Sequence, residues 1–362
     1  MRIHDSREYR RLCKEGSFQY DIFTFTYFNI PAPSIDALAA ISKRNIEIQS
    51  AFIKHYNKIA SGEYEHITVS VSGGADSDRV VDFVERIGYG PGTVDYIFFD
   101  TGMEFKATKD HLTELENKYD IKIKRIHAKM PVAIACKKYG VPFLSKQISE
   151  YIMRLQKHGF KWEDRPFEEL YAEYPKCKSA LRWWCNKFGE KSKCNISNRK
   201  WLKEFLVANP PDFPISAKCC EKSKKATSQK FNSEHKVDLS VQGVRKAEGG
   251  ERSIAIKSCF TEISFGCSVL RPLFWFKKSD CAEYDYIFGI EHSLCYSKYG
   301  LLRTGCACCP FGRYFEDELE AAEMYEPALY RLANMVFAKS YEYTRKYKEF
   351  VNVKNEEARQ NE

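Results

Sequence analysis

The sequence contains no run of apolar residues approaching the roughly 20 that a bilayer-spanning helix needs. Its opening stretch, MRIHDSREYRRLCKEGS, is polar where a secretory leader would carry an apolar centre. These two absences lead us to expect a soluble, cytoplasmic protein with no membrane partner. There is no internal repeat and no low-complexity tract, which excludes solenoids and arrays. With 44% hydrophobic residues over 362 positions, the chain can bury a substantial core, so a disordered chain is excluded too.

What the chain does have is cysteine and basic charge. Fourteen cysteines in a reducing compartment are poor material for a disulfide framework, so their clusters read first as metal or redox sites. Lys and Arg total 57 against 49 Asp and Glu, a formal charge of +8 that suits an anionic partner. The excess concentrates between Lys176 and Lys203, where Lys176, Lys178, Arg182, Lys187, Lys191, Lys193, Arg199, Lys200 and Lys203 face one acid, Glu190. Trp183, Trp184 and Trp201 are interleaved with them. Such a stretch can bind phosphates and stack bases, as a tRNA or DNA surface would. It reads equally as a solvated basic face whose tryptophans belong to the core.

Along the chain, residues 34–62 carry apolar positions at three and four spacing until Gly62, the pattern of a helical lead that we assign to residues 1–62. HITVSVS then reads as a strand, DSDRVVDFVERIG as a helix, VDYIFFD as a strand, KATKDHLTELENKYD as a helix and IKIKRIHA as a strand. This alternation implies an α/β domain with a doubly wound, Rossmann-like parallel sheet, over residues 63–315. A less regular insertion rich in cysteine, lysine and aromatics occupies about 131–231, and KVDLSVQGVR returns to the sheet as a further strand. Residues 316–362 read as a helical extension, with Pro327 opening a second helix.

The segment SVSGGADSDRVV is a strand end turning into a helix, the place where open parallel sheets bind ligands. Gly73 and Gly74 can adopt backbone angles that point successive N–H groups into one concavity. The helix N-terminus adds partial positive charge, and Ser72 and Ser77 add hydroxyl donors, together an anion site suited to phosphate or sulfate. The lysine-bearing GxxxxGK[ST] loop is absent, so neutralisation must come from Mg2+, with Asp76 as its candidate ligand, or from arginines elsewhere. The competing reading is an ordinary Gly-Gly turn.

SGGADS resembles the PP-loop of the adenine-nucleotide α-hydrolase superfamily, and the rest of the chain resembles the phosphoadenosine phosphosulfate (PAPS) reductase family within it. FFDTGMEFKATKDHL is similar to that family's Asp-Thr-Gly segment, and QGVRKAEGGERS to its Gly-x-Arg, Glu and Arg segment. RPLFWFKKSDCAEY and LCYSKYGLLRTGCACCPFG are similar to its Pro-x-x-x-Trp and Gly-Cys-x-x-Cys stretches, in family order from about Ile67 to Arg313. The resemblance implies that Ser72, Gly73, Gly74, Asp76 and Ser77 hold phosphates or sulfate, and that Asp100 and Thr101 lie near the nucleotide. It also implies that Gly243 leads to Arg245, which with Arg252 clamps the anionic end while Glu248 orients one arginine. An arginine fork suits that role, although surface solvation or a structural ion pair is the plainer alternative.

The resemblance further implies a [4Fe–4S] cluster on Cys219, Cys220, Cys306 and Cys309. Adjacent cysteines fit one tetrahedral zinc less well, and buried free thiols remain the third reading. Cys308 is a spare fifth sulfur, Cys267 could substitute, and Cys177, Cys185 and Cys194 form a looser series. Family members that release sulfite carry a nucleophilic cysteine near the C-terminus, and here no cysteine follows Cys309. We therefore expect an enzyme that cleaves ATP to AMP and pyrophosphate and couples this to sulfur transfer, with a sulfur or electron donor protein as partner. The alternatives are reduction of adenylyl sulfate or PAPS through Cys308 or Cys295, and a nucleic-acid-binding module with a regulatory nucleotide site.

Overall fold

The computed structural model describes residues 45–60, 62–88, 93–190, 192–249, 256–263 and 266–360, together with the backbone of 19–20 and 27–28. Most of the N-terminal lead lies outside these residues. Its described part is helix α1 (Ile46–Ala60), opened by Asn45, whose Oδ1 accepts from the Glu47 and Ile48 amides at 3.0 and 3.2 Å.

Strand β1 (His66–Ser70) leads into helix α2 (Ala75–Ile87), strand β2 (Thr93–Asp100), helix α3 (Lys106–Tyr119) and strand β3 (Ile123–His127). Asp120 ends α3 in the left-handed region, φ 53°. After the cysteine-rich stretch come β4 (Leu239–Gln242), β5 (Phe260–Thr261) and β6 (Ser268–Leu270). These six strands form one sheet in the order β3-β2-β1-β4-β6-β5, parallel except for β5 against β6, while Gln19–Tyr20 and Tyr27–Phe28 pair separately as a short antiparallel ribbon. The order reverses between β1 and β4, which creates the crevice at the strand C-termini where such sheets take ligands. Apolar side chains of α1, α2, the central strands and helix α4 (Lys278–Phe288) cover this sheet, with Phe52 stacked on Phe83 at 4.5 Å.

The chain divides into two compact units. Residues 1–100, 104–127 and 227–305 form the sheet unit, and 101–103, 128–226 and 306–362 form the second. The second unit has its own core. Phe143, Trp183, Trp184 and Phe205 pack there with Tyr343 and Tyr347 of the long helix α5 (Pro327–Gln360). Insertion and C-terminal helix, far apart in sequence, thus share one apolar interior. Proline opens α5 where its missing N–H is not needed. Among the described residues no helix is long and apolar enough to cross a membrane.

Candidate functional site

The loop after β1 is braced from within. Gly73 has φ +65°, and a Cβ there would meet Thr108 Cγ2 at 2.6 Å, so only glycine fits. The buried Ser77 hydroxyl accepts from the Ser72 and Gly74 amides at 3.2 and 3.1 Å and donates to the Gly74 carbonyl at 2.7 Å. The hydroxyl thus helps to hold the loop's shape. The Ala75 amide donates to Tyr296 Oη at 2.9 Å. Ser72 remains exposed, and beside Gly74 lies the buried Oγ1 of Thr304.

The crevice brings Asp76 together with Gly243 and Arg245. A Cβ on Gly243 would sit 2.7 Å from the Asp76 carbonyl oxygen, so the chain after β4 passes directly against the loop. Two residues on, Arg245 Nε donates to Asp76 Oδ1 at 2.8 Å, and Glu248 Oε1 accepts from the Arg245 amide at 3.0 Å. Burial opposes the Arg245 charge, but Asp76, with smaller contributions from Cys281 and Glu248, outweighs it and raises the guanidinium's pKa. Asp100 closes β2 and pairs with Lys109 at 2.9 Å. Thr101 belongs to the second unit, where its hydroxyl lies 3.5 Å from Cys306 Sγ. Arg252 lies outside the described residues.

Around Asp76 stands a charge network without a local sequence signature. Arg79 Nη1 donates to Asp76 Oδ1 at 2.8 Å, while its Nε and Nη2 reach both oxygens of Asp285 at 2.7 and 2.5 Å. His292 lies between Asp285 (3.1 Å) and the fully buried Asp78 (2.8 Å), and Asp78 also lies 3.2 Å from His111. Burial opposes protonation of His292, yet its bonds to Asp285 and Asp78 prevail and raise its pKa to about 9. Cys281 packs 4.0 Å from Asp76 Oδ1, and burial pushes its thiol up to about 11.

The Asp76 carboxylate fits a bound nucleotide with Mg2+ in one respect. Asp76 Oδ1 is occupied by two guanidiniums, whereas Oδ2 has no partner among the described residues. One carboxylate oxygen is the usual protein share for Mg2+ at a phosphate site, the rest being phosphate oxygens and water.

In the second unit, Cys219 and Cys220 lie in a helical turn and Cys306 and Cys309 in the loop before helix α6 (Phe315–Tyr325). All described cysteines are free. The Cys219 thiol is raised by contact with Cys136, and that of Cys220 by Cys219. Burial, then Cys306, raises Cys309. Cys136, which belongs to no motif in the sequence, is thus a fifth sulfur of this neighbourhood. The all-thiol donor set suits iron–sulfur ligation. Among the described residues, however, no three liganding side chains are already gathered at metal-holding distance. Cys308 stands apart: φ is 55°, its Sγ donates to the Glu318 carbonyl at 3.4 Å, and Glu318 Oε2 accepts from its amide at 2.7 Å. Cys177 and Cys185 donate to backbone carbonyls of Arg154 and Arg165, and Cys267, in the sheet unit, to that of Ser268.

In the basic stretch, Trp183 and Trp184 are core residues and Trp201 Nε1 donates to Asn355 at 3.2 Å. Those two buried indoles are unavailable for stacking bases. Lys176, Lys178, Arg182, Arg199 and Lys200 remain exposed.

Among curated proteins none matches the chain. Solved structures that resemble it include a phosphoadenylyl-sulfate (PAPS) reductase from Candida auris in a phosphate complex, at 13% identity and TM-score 0.38, covering 75% of this chain and 93% of that one. Another is an FMN adenylyltransferase from Candida glabrata, at 12% identity and TM-score 0.38, covering 84% and 72%. A third is a U34-tRNA thiolase from Methanococcus maripaludis with its [4Fe-4S] cluster, at 12% identity and TM-score 0.36, covering 93% and 85%. The decisive match is to the family model of the phosphoadenosine phosphosulfate reductase domain, which takes in residues 66–310, from the first residue of β1 to just beyond the Cys306 and Cys309 pair. With the loop, the crevice and both cysteine pairs inside that match, the chain belongs to the phosphoadenosine phosphosulfate reductase domain family.

Proposed function

We propose that this protein cleaves ATP to AMP and pyrophosphate to activate an acceptor for sulfur transfer. An acceptor oxygen attacks the α-phosphorus, the bond to the pyrophosphate oxygen breaks, and pyrophosphate leaves. A sulfur nucleophile from a donor protein then displaces AMP from the activated acceptor. Ser72, Gly73 and Gly74 would cradle the phosphates, and Arg245 would neutralise the leaving charge, with Arg252 as a second candidate. Asp76 would hold Mg2+ through its open oxygen, and the ion would supply charge stabilisation on the phosphates. Cys219, Cys220, Cys306 and Cys309 would hold a [4Fe–4S] cluster, which when bound supplies a site for sulfur.

One observation carries the preference for ATP cleavage over sulfonucleotide reduction. A reductase needs an accessible thiolate, and the two candidate nucleophiles, Cys295 and Cys308, are both wholly buried at 0% exposure. Burial, then Glu318, holds the Cys308 thiol far above its ordinary pKa. The exposed cations between Lys176 and Lys200 favour a polyanionic acceptor, tRNA or DNA.

Anaerobic protein given ATP, Mg2+ and a pool of total tRNA or DNA should release pyrophosphate and AMP. With adenylyl sulfate or PAPS and thioredoxin or glutathione it should release little sulfite. Rapid sulfite formation without ATP turnover would reverse the assignment. Filter binding of tRNA and DNA at two salt concentrations, run beside the pyrophosphate assay, separates a true acceptor from a module whose nucleotide site is only regulatory: both should bind with a steep salt slope, but only the former should also stimulate pyrophosphate release.

A further inference from the structure

The two guanidiniums on Asp76 are held very differently. Arg79 is 7% exposed and, apart from Asp76, is held by both oxygens of Asp285, which take Nε and Nη2. Losing Asp76 would still leave it paired. Arg245 reaches Asp76 through Nε alone, and among the described residues its two terminal amino groups make no hydrogen bond. Its side chain is 17% exposed, at the mouth of the crevice where the β4 end passes the loop. An arginine with an open donor fork beside a phosphate-type loop is a ready partner for an anion.

We propose that Arg245 is an exchangeable latch on Asp76: an anionic ligand arriving at the loop takes the Arg245 guanidinium away from Asp76, while Arg79 stays as the fixed counter-charge. This rests on the phosphate-site reading above and adds its order of events. In the ligand-free protein the latch neutralises Asp76 and occupies the arginine; ligand entry frees the carboxylate as it claims the cation. Arg79 and its anchor Asp285 are then positioning residues, which keep Asp76 from becoming an uncompensated half-buried anion.

The test uses inorganic pyrophosphate as probe, in EDTA so that no metal bridges Asp76, with calorimetry on the full-length protein. Asp76→Asn releases the latch and should bind pyrophosphate roughly three- to tenfold more tightly than wild type. Arg245→Ala should bind at least about tenfold more weakly. The double variant should bind no more tightly than Arg245→Ala. If the Asp76→Asn gain persists in the Arg245→Ala background, simple charge repulsion explains it and the latch is wrong. Asp76→Asn affinity equal to or below wild type, in protein with an unchanged melting curve, also overturns it. Should that variant not fold, arginine side-chain 15N spectra of wild type decide: the Arg245 Nε–H signal should move on adding pyrophosphate and that of Arg79 should stay, and the reverse pattern overturns the latch. Wild type that does not bind pyrophosphate at all removes the phosphate-site reading together with the latch, a result distinct from the others.

Discussion

Gly243 offers a sharp test of the crevice, because its substitution adds one methyl group and no charge. A Cβ there would lie 2.7 Å from the Asp76 carbonyl oxygen, 2.8 Å from its carbonyl carbon and 3.1 Å from the Ser77 amide nitrogen. All three are backbone atoms, so no rotamer change can relieve the contact. To reach ordinary van der Waals separation the β4 end and the loop must part by about 0.7 Å. Overpacking of this kind costs about 1–3 kcal/mol. The displacement falls on Asp76 and on the approach of Arg245, so Gly243→Ala should weaken ATP–Mg2+ binding by about tenfold or more, equivalent to at least ~1.4 kcal/mol. The control is Gly88→Ala. Gly88 has φ +67° and ψ 163°, a backbone region essentially confined to glycine, but nothing within 4 Å of its added Cβ, so that variant should lose roughly 1–3 kcal/mol of stability from backbone strain and keep its nucleotide affinity. Calorimetry with ATP–Mg2+ and thermal melts on both proteins give the comparison. Equal nucleotide affinities for the two variants would refute the reasoning, since it requires the β4 end and the loop to form one rigid binding surface.

Gly74→Val should abolish ATP–Mg2+ binding, since even its Cβ would meet Thr304 Oγ1 at 2.7 Å; calorimetry with unchanged affinity would count against the loop. His292 is raised from 6.5 to about 9, so the stabilisation it provides is complete below its unfolded pKa and disappears as pH rises through about 9. The melting-temperature gap between wild type and His292→Gln should therefore be wide at pH 6 and closed by pH 10, and a gap independent of pH would contradict this. Protein purified without oxygen should be brown and carry about four irons per chain, and one zinc with no iron would overturn the cluster assignment. Serine at Cys219, Cys220, Cys306 or Cys309 should lower the iron-to-protein ratio, whereas Cys308→Ser should leave it unchanged, because the Cys308 sulfur is turned to the Glu318 carbonyl.

The sheet was legible because its signals are local. HITVSVS and VDYIFFD are short apolar runs bounded by turn residues, and β1 and β2 occupy them within two residues at each end. The Gly-Gly turn and the α2 N-terminus likewise announce themselves in six consecutive positions. The basic and aromatic stretch was ambiguous for an equally physical reason. On the seven-residue helix Lys178–Trp184, one face carries Lys178 and Arg182 into solvent and the other carries Trp183 and Trp184 into the core. A stacking surface and an amphipathic core helix have the same composition, and only burial separates them. Nor could sequence order reveal that Tyr343 and Tyr347 pack on Phe205, because the pairing spans well over a hundred residues and has no periodic trace.

Helix α2 shows why the site's supporting network escapes sequence reading. Asp76, Asp78, Arg79, Asp82, Glu85 and Arg86 give it the charge pattern of a solvated helix, yet all but Asp76 are buried. A buried charge is tolerated only when paired, so the fold had to bring partners from elsewhere. Asp82 pairs with Arg86 on the same helix at 2.6 Å and accepts from two residues elsewhere, Tyr284 at 2.8 Å and Tyr119 at 2.9 Å, and Glu85 accepts from Tyr96. Arg79 and Asp78 are met by Asp285 and His292, more than two hundred residues away. Each such pair is costly to break from one side, because the orphaned partner stays out of water. The consequence is a loop mounted on a helix that cannot rotate or slide without separating several buried ion pairs at once. That rigidity gives Asp76 a fixed position from which a single, partly exposed arginine, Arg245, can come and go.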